Sequence, residues 1–172
     1  MGSLRSLEGR EVSSAELAPA LLMFFRGNWC PLCMAQIQEV AEQYRSLERR
    51  GVKVALISGQ PQRETTKLAE RFDVPFLHLI DEGLVVAGAL GLLHEEALPP
   101  GLASRTGASD NSAYLPTVVI TGLEGLVLLV ARTDNYRVRP EPSTFLEALD
   151  AAGFVEPGSE ARVPGDKELP WS

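Results

Sequence analysis

The two cysteines of this chain constrain its fold most strongly, because they stand close together between two very different segments. Cys30 and Cys33 follow the apolar run 20–25, which has the length of one buried strand. After them, apolar residues recur at steps of three and four along 37–47, which is typical of an amphipathic helix. The sequence therefore predicts a strand, a tight turn that carries C-x-x-C, and a long helix that ends near Gly51.

The start of a helix favours thiol chemistry. Its first backbone N–H groups lack partners within the helix and form the positive end of the helix dipole, and both effects favour a thiolate. Cys30 comes first in the turn, so we predict that it is the nucleophile and lies nearer to solvent. Cys33 follows one helical turn later, where it is placed to act as the resolving thiol by closing a disulfide with Cys30. A lone C-x-x-C inside a β–α–β pattern is typical of a redox-active site.

Two other interpretations of the cysteine pair stay open, namely an inert buried pair or half of a zinc site. Zinc needs four ligands that usually come in two local pairs. The remaining candidates, His78 and His94, each stand without a paired ligand nearby. We therefore expect no metal and no other cofactor. We also expect His78 to lie in the core or at a sheet edge, and His94 and Asp81 to be solvated.

The charge balance argues against several classes of partner. The net charge is −7 and no basic block stands out, which argues against a nucleic-acid surface and against a polybasic membrane patch. The run 20–25 is too short to span a bilayer, and no charged-then-apolar leader opens the sequence. The expectation is a soluble cytoplasmic protein, in which a pair of cysteines serves redox chemistry more often than structure.

The rest of the chain predicts an α/β fold with one domain over 4–153. Strands joined by helices form parallel neighbours through right-handed crossovers, which put helices on both faces of a central sheet. The hairpin 117–132 adds antiparallel strands, so the sheet is predicted to be mixed. Residues 93–115 lack periodicity and are either functional or disordered, and the tail 154–172 is predicted to be poorly ordered. The predicted strands are 20–25, 52–58, 76–80, 117–121 and 126–132, and the predicted helices are 30–50, 62–72, 84–92 and 142–152.

Several of these segments are similar to those of one known family. The chain resembles a thioredoxin-fold protein and, more closely, the peroxiredoxin-like branch of the alkyl hydroperoxide reductase C/thiol-specific antioxidant (AhpC/TSA) family. The resemblance implies a thioredoxin-like fold with the β–α insertion found in peroxiredoxins, here at 76–92. The segments that carry the resemblance are an opening hairpin at 7–12, the active-site turn 24–33, the proline loop Leu115–Pro116–Thr117 and a closing segment at 134–142.

The proline loop is the second candidate part of the site. The resemblance implies that Pro116 follows a cis peptide bond and packs against the cysteine pair, so that Leu115 can pair with an extended substrate. Thr117 belongs to the same loop and is a supporting candidate. The closing segment contains Arg137 and Arg139, to which the sequence assigns no chemistry.

Three residues of the turn are candidate supports for the cysteines. Trp29 either shields the sulfur and offers a flat apolar face to a partner, or simply packs the turn. Pro31 suits the first helical position and helps to set the redox poise of the disulfide. Arg26 either lowers the pKa of the nucleophilic cysteine or is an ordinary exposed arginine.

Departures from the family pattern decide the order of the functional hypotheses. Peroxidases of the family have a proline and a threonine where this chain has Met23 and Gly27, and an arginine near the proline loop that 115–117 does not supply. The first hypothesis is a thiol–disulfide oxidoreductase that acts on a disulfide or sulfenic acid and is reset by a thioredoxin-type or small-thiol reductant. The alternative is a thiol peroxidase that reduces hydrogen peroxide or alkyl hydroperoxides. The third is a non-catalytic redox sensor in which the loop 93–115 moves. Relatives often dimerise beside the active site, so a homodimer is compatible with each hypothesis.

Overall fold

A mixed β-sheet forms the centre of the protein, which we describe from a computed structural model over residues 3–106, 110–132, 135 and 137–158. Within those residues the main sheet has the strand order β2-β1-β5-β4-β3-β8-β9, and β6 and β7 form a separate pair. The strands are β1 Leu4–Ser6, β2 Glu11–Val12, β3 Ala20–Phe24, β4 Lys53–Ser58, β5 Leu77–Ile80, β6 Leu93–His94, β7 Ala113–Tyr114, β8 Thr117–Thr121 and β9 Val127–Arg132. The helices are α1 Ser14–Leu17, α2 Pro31–Arg49, α3 Gln62–Arg71, α4 Val85–Ala89, α5 Leu102–Thr106 and α6 Pro142–Ala151.

Strand β3, which leads into the cysteine turn, lies in the middle of this sheet. It pairs parallel with β4 on one side and antiparallel with β8 on the other. Strand β5 continues the parallel part, and β9 continues the antiparallel part. Both faces of β3 are buried, which explains why its sequence is apolar throughout rather than alternating.

Apart from a small cluster beside Trp29, the core of the described residues divides into two clusters on opposite faces of the sheet. Leu21 and Met23 of β3 face one cluster, which also contains both cysteines and the buried sides of α2, α3 and α6. Phe24 faces the other cluster, which is closed by α1 and α4. Successive strand residues point to opposite faces, so neighbouring positions of one strand serve different clusters. The predicted mixed sheet with helices on both faces is confirmed.

Most predicted elements agree with the structure to within one or two residues, and two segments differ. The predicted helix 84–92 is shorter, because Gly83 and Leu84 have positive φ of 68° and 55° and only Val85–Ala89 is α-helical. The predicted loop 93–115 contains regular structure, since β6 pairs with β7 at its base and α5 lies between them. We call residues 93–114 the excursion.

Residues 154–158 contact the C-terminal end of α2 as well as α6. Glu156 forms ion pairs with Arg49 at 3.0 Å and with Arg50 at 2.7 Å, and it also accepts a hydrogen bond from the Ser46 hydroxyl. The backbone N–H of Phe154 donates to the carbonyl of Leu149 at 2.9 Å. These contacts fix the first part of the predicted tail, while 159–172 lie outside the described residues.

Asp81 is buried, and the expectation that it is solvated is wrong. Its carboxylate is 0% exposed and accepts hydrogen bonds from the backbone N–H groups of Val86 and Ala87 at 3.0 and 2.9 Å. It also accepts a hydrogen bond from the hydroxyl of Tyr114 at 2.6 Å. A carboxylate is satisfied in the interior when donors surround it in this way. The sequence does not reveal this because Tyr114 is 33 residues away.

No described helix is both long enough and apolar enough to cross a lipid bilayer.

Candidate redox-active site

The cysteine turn begins where β3 ends. The backbone N–H of Phe25 still donates to the carbonyl of Ile57 in β4 at 3.0 Å, after which the chain leaves the sheet. Cys30 is the N-cap of α2, with extended backbone angles, and its carbonyl accepts the N–H of Met34 at 3.1 Å. Pro31 occupies the first helical position, where no N–H is needed. The turn therefore places Cys30 at the start of α2, as predicted.

Gly27 gives the turn its shape. Its φ is +146°, and a Cβ built on it would lie 2.6 Å from Nε1 and 2.9 Å from Cδ1 of Trp29. Such distances leave no room for any other residue without displacing the indole, so the ring packs directly against the backbone of Gly27. The threonine that the family pattern has at position 27 would therefore occupy the space of the Trp29 ring.

Both cysteines are free thiols, and both are buried. Cys30 is 2% exposed and Cys33 is 1% exposed, so both residues are buried, and the prediction that Cys30 lies nearer to solvent stays a prediction. The reason is tertiary, because both sulfurs belong to the cluster that includes Phe25 and Met34 and is flanked by Trp29. The two residues between the cysteines are exposed instead, and the side chain of Leu32 is 40% exposed.

The hydrogen bond between the two cysteines shifts their pKa values in opposite directions. The pKa of Cys30 lies well below its usual range, chiefly because the thiol of Cys33 donates a hydrogen bond to its sulfur. The backbone N–H of Cys33 and the charges of Arg26 and Arg139 act in the same direction, against the effect of burial. The pKa of Cys33 is raised, first by that same hydrogen bond and then by burial and by the negative charge of Cys30. The resting pair therefore consists of a thiolate at Cys30 and a thiol at Cys33.

Arg26 connects the turn to the excursion. Its Nη2 donates to the carbonyl of Ala97 at 2.5 Å, and its Cζ lies 4.7 Å from the centroid of the Trp29 ring. A cation over an aromatic face is attracted by the ring quadrupole. Arg26 is buried rather than exposed, and Trp29 also packs against Leu98 and Ala113. Both residues therefore hold the excursion against the turn.

Arg139 reaches the second cysteine from a distant part of the chain. Its Nη2 donates to Sγ of Cys33 at 3.6 Å, and its Nη1 donates to the carbonyl of Val138 at 3.2 Å. The two residues in contact are 106 positions apart. The sequence indicates the segment but not this contact, because nothing in its pattern distinguishes Arg139, which is half-buried, from Arg137, which is exposed.

The proline loop does not have the predicted geometry. Among the described residues the cis peptide bond is Ala18–Pro19, and the Leu115–Pro116 bond is trans. The N–H of Leu115 donates to the carbonyl of Leu92 at 2.7 Å, and its carbonyl accepts the hydroxyl of Thr117 at 3.1 Å. The cis prediction is therefore wrong: Leu115 continues the β6–β7 region in the trans form that X-Pro bonds prefer. Its backbone groups are engaged within the protein.

Thr117 lies on the face of the sheet away from the cysteines. It pairs with Phe24, and residues directly opposite on neighbouring strands project to the same face. Phe24 packs in the cluster closed by α1 and α4, whereas Cys30 and Cys33 pack in the other cluster. The structure thus brings Trp29, Pro31 and Arg26 to the cysteine pair, but it does not bring Thr117 there.

A cavity of about 260 Å³ lies beside the turn. In its polar part the backbone N–H of Asn28 donates to Oε1 of Gln60, and Nε2 of Gln60 donates to Oδ1 of Asn28, both at 3.0 Å. The cysteines do not line it, so a ligand in the cavity would meet the Arg26 side chain before either sulfur. The described residues contain no group of three or more His, Cys, Asp or Glu side chains that could hold a metal ion. The residues lining the cavity are Arg26, Asn28, Trp29, Gly59, Gln60, Pro61, Glu64, Leu98, Ser112 and Ala113.

The strand order of the sheet, the cysteine turn and helix α2 are features that can be compared with those of known protein families. The profile of the AhpC/TSA family matches residues 3–130, which is more than half of the chain, so the chain belongs to that family. Arg139 lies beyond the matched part.

Individual relatives are more distant. The chain is 31% identical over 91 residues to the thiol-disulfide oxidoreductase ResA of Geobacillus thermodenitrificans, a match that covers 52% of each protein. It is 29% identical over 83 residues to the chloroplastic peroxiredoxin Q of Sedum lineare, which covers 47% of this chain and 45% of that protein. The chain thus spans about half the length of the curated relatives it matches.

Solved structures confirm the fold. The crystal structure of a mutant of peroxiredoxin 6 from Arenicola marina is similar with a TM-score of 0.72 and 15% identity, over 89% of this chain and 70% of that one. At this identity the likeness shows the fold alone, and the predicted thioredoxin-like architecture with its peroxiredoxin-type insertion is confirmed.

Proposed function

We propose that this protein is a thiol–disulfide oxidoreductase in which Cys30 is the nucleophile and Cys33 is the resolving thiol. One observation carries the proposal: two free thiols stand one helical turn apart at the start of α2, where the hydrogen bond from Cys33 lowers the pKa of Cys30. The thiolate is the form that attacks a disulfide. A pair of inert core cysteines has no need of two arginines, yet the charges of Arg26 and Arg139 both act on Cys30.

The reaction proceeds in two exchanges. The Cys30 thiolate attacks one sulfur of a substrate disulfide, forms a mixed disulfide and releases the other sulfur as a thiolate that takes up a proton. Cys33 then loses its proton and attacks Sγ of Cys30, which releases the second substrate thiol. The substrate gains two electrons and two protons, and the protein is left with a Cys30–Cys33 disulfide. A sulfenic acid substrate reacts in the same way and releases water in the first exchange.

An external thiol returns the protein to its reduced form. A dithiol of the thioredoxin type or a small thiol supplies the two electrons by the reverse exchange. This need for a reductant supports the expected cytoplasmic location, where such thiols are kept reduced. The exposed Leu32 and the half-buried Trp29 offer an apolar contact for a protein partner beside the buried sulfurs.

A thiol peroxidase is the second candidate, and the burial of the sulfurs favours it. A peroxide is small enough to approach a sulfur that is 2% exposed, whereas a protein disulfide must first displace the residues that cover it. Arg26 and Arg139 supply positive charge that the family pattern places near the proline loop. In this reaction the Cys30 thiolate breaks the O–O bond, becomes a sulfenic acid and releases an alcohol or water. Cys33 then condenses with the sulfenic acid and releases water.

Trapping of covalent intermediates tests the proposal. The Cys33→Ser variant cannot carry out the second exchange, so it should accumulate mixed disulfides with a protein disulfide substrate, while Cys30→Ser should accumulate none. Equal trapping by both variants would contradict the assignment of roles.

The rate of Cys30–Cys33 closure with different oxidants separates the two candidates. Reduced wild-type protein is mixed with hydrogen peroxide, an alkyl hydroperoxide or a protein disulfide. Samples are alkylated at intervals, and mass spectrometry of this protein measures the fraction that carries the Cys30–Cys33 disulfide. Faster closure with the protein disulfide supports the oxidoreductase. Closure by peroxides alone would replace it with the peroxidase, and closure no faster than oxidation of a free small thiol in every case would reject both.

A further inference from the structure

We propose that Arg139 stabilises the Cys33 thiolate during the second exchange, when Cys30 is already held in a mixed disulfide. This inference rests on the proposed function and gives a role to a residue beyond the stretch that matches the family. It concerns the resolving cysteine rather than the nucleophile. The observation behind it is the contact of 3.6 Å between Nη2 of Arg139 and Sγ of Cys33.

In the reduced protein the surroundings of Cys33 raise its pKa and favour the protonated thiol. Its thiol donates a hydrogen bond to the sulfur of Cys30, and the negative charge of Cys30 opposes a second negative charge nearby. Burial of Cys33 acts in the same direction. A guanidinium at 3.6 Å is therefore not enough to ionise Cys33 while Cys30 is a thiolate.

The first exchange removes two of these three obstacles. Once Cys30 is bound to a substrate sulfur it carries no charge, so the repulsion ends and the hydrogen bond from Cys33 loses its charged acceptor. Burial remains, and in the interior a nearby opposite charge offsets it strongly. Arg139 is that opposite charge, and the backbone N–H of Arg26 donates a second hydrogen bond to the Cys33 sulfur.

The guanidinium groups of Arg26 and Arg139 stabilise negative charge at different sulfurs. The guanidinium of Arg26 acts on Cys30 and is held by Ala97 and the Trp29 ring, whereas towards Cys33 Arg26 contributes its backbone N–H. Arg139 is the guanidinium that acts on Cys33. Among the residues that the structure describes, the charged and titratable groups that act on the Cys33 sulfur are Cys30 and Arg139, and of these two Arg139 keeps its charge throughout the reaction.

The step balances without any further reactant. Cys33 gives up its proton to solvent, the resulting thiolate attacks Sγ of Cys30, and the bond between Cys30 and the substrate sulfur breaks. The substrate leaves as a thiolate and takes up a proton, so no net charge accumulates. Arg139 is not consumed, and it stabilises the negative charge between deprotonation and attack.

Reaction of the reduced protein with one equivalent of the aromatic disulfide dithiobis(nitrobenzoate) tests the proposal, because each exchange releases one coloured thiolate. The first phase of release reports attack by Cys30, and the second reports attack by Cys33. The Arg139→Gln variant should slow the second phase about tenfold at neutral pH and raise its pH midpoint by about one unit. The first phase should change less than about twofold, because the pKa of Cys30 is low enough to keep it ionised.

Three further variants make the result specific. Arg137→Gln removes the same charge from an exposed position two residues away and should leave both phases unchanged. Arg139→Lys keeps the charge and should restore most of the second-phase rate. Arg139→Met keeps the aliphatic stem without the charge, so it should slow the second phase as Arg139→Gln does, and it replaces Arg139→Gln as the test if Arg139→Gln folds poorly. Thermal unfolding confirms that each variant is folded.

The outcomes separate this inference from the proposed function. A second phase that keeps its rate and pH midpoint in Arg139→Gln and Arg139→Met would overturn the role of Arg139, and so would equal slowing of both phases with an unmoved midpoint. Wild-type protein that shows no second phase would reject the proposed function and this inference together.

Discussion

The two faces of the central sheet each bury a hydrogen-bonded pair of ionisable side chains, and the pairs differ in what compensates their charge. On one face Cys33 donates to Cys30, and charged guanidinium groups surround the pair. On the other face Tyr114 donates to Asp81, and the remaining donors are neutral backbone N–H groups of α4. Both pairs lie at the start of a helix, where backbone donors favour negative charge.

The groups that compensate the charge decide whether a buried pair is reactive. The Asp81 pair is fixed, since burial and the hydrogen bond to Asp81 hold the pKa of Tyr114 far above its usual range and its proton stays in place. By the role that we propose for Arg139, the cysteine pair can shift its charge from one sulfur to the other, since the charge of Arg26 favours a thiolate at Cys30 and Arg139 contacts Sγ of Cys33. We therefore expect one pair to control reactivity and the other to control stability.

The largest expected effect is the loss of thiol reactivity in Cys30→Ser. A serine hydroxyl is not ionised at neutral pH, and the remaining Cys33 is 1% exposed even where Arg139 supports its thiolate. Reaction with iodoacetamide and with disulfides should therefore fall to the background rate of a buried thiol. Cys33→Ser is the matched control and should keep rapid alkylation, because Cys30 remains. Mass spectrometry of the alkylated protein measures both, and alkylation of Cys33 as fast as that of Cys30 would remove the distinction between the two sulfurs.

The next effect falls on the other face. Asp81→Ala leaves the hydroxyl of Tyr114 and two backbone N–H groups without an acceptor, so we expect the free energy of unfolding to fall by about 3 kcal/mol. Tyr114→Phe removes one donor and leaves the other two in place, so its cost should be about 1 kcal/mol. Denaturant unfolding measures both values. A change in the pH midpoint of Cys30 alkylation in either variant would show that the two pairs are coupled.

The pH dependence of Cys30 should be smaller but diagnostic. Its pKa is lowered in the folded protein, so the thiolate contributes stability above the unfolded value of about 8.5 that is lost as pH falls through the folded value. The reduced protein should therefore gain stability relative to Cys30→Ser as pH rises through this window. Arg26→Gln should raise the pH midpoint of alkylation by about one unit. An unmoved midpoint would show that the charge of Arg26 does not reach Cys30.

The smallest effect is expected at Thr117, which lies on the Asp81 side of the sheet. Thr117→Val removes the hydrogen bond to the carbonyl of Leu115 and should lower the free energy of unfolding by about 1 kcal/mol. The rate of Cys30 alkylation should not change, because Thr117 and the cysteines pack in different clusters. A slower alkylation in Thr117→Val would place this residue in the site after all.

Local sequence patterns predicted the strand, the turn and the helix around the cysteines with few errors. The evidence for these elements is local: the apolar run of β3, the proline after Cys30 and the helical spacing in α2 follow one another along the chain. Errors arose where a distant partner decides the outcome. Asp81 is buried because Tyr114 reaches it, and Leu115–Pro116 is trans in a segment whose backbone bonds to Leu92.

The position of two thiols at the start of a helix after a buried strand can be read from the residues themselves, because hydrophobic periodicity and helix-start chemistry act over neighbouring residues. The depth at which those thiols are buried, and the charges that contact them, depend on how distant segments pack together. Arg139 reaches Cys33 across 106 positions because the chain passes through β8 and β9 before it returns to the start of α2. Contacts of that kind depend on how the elements pack, and no local pattern of residues records them.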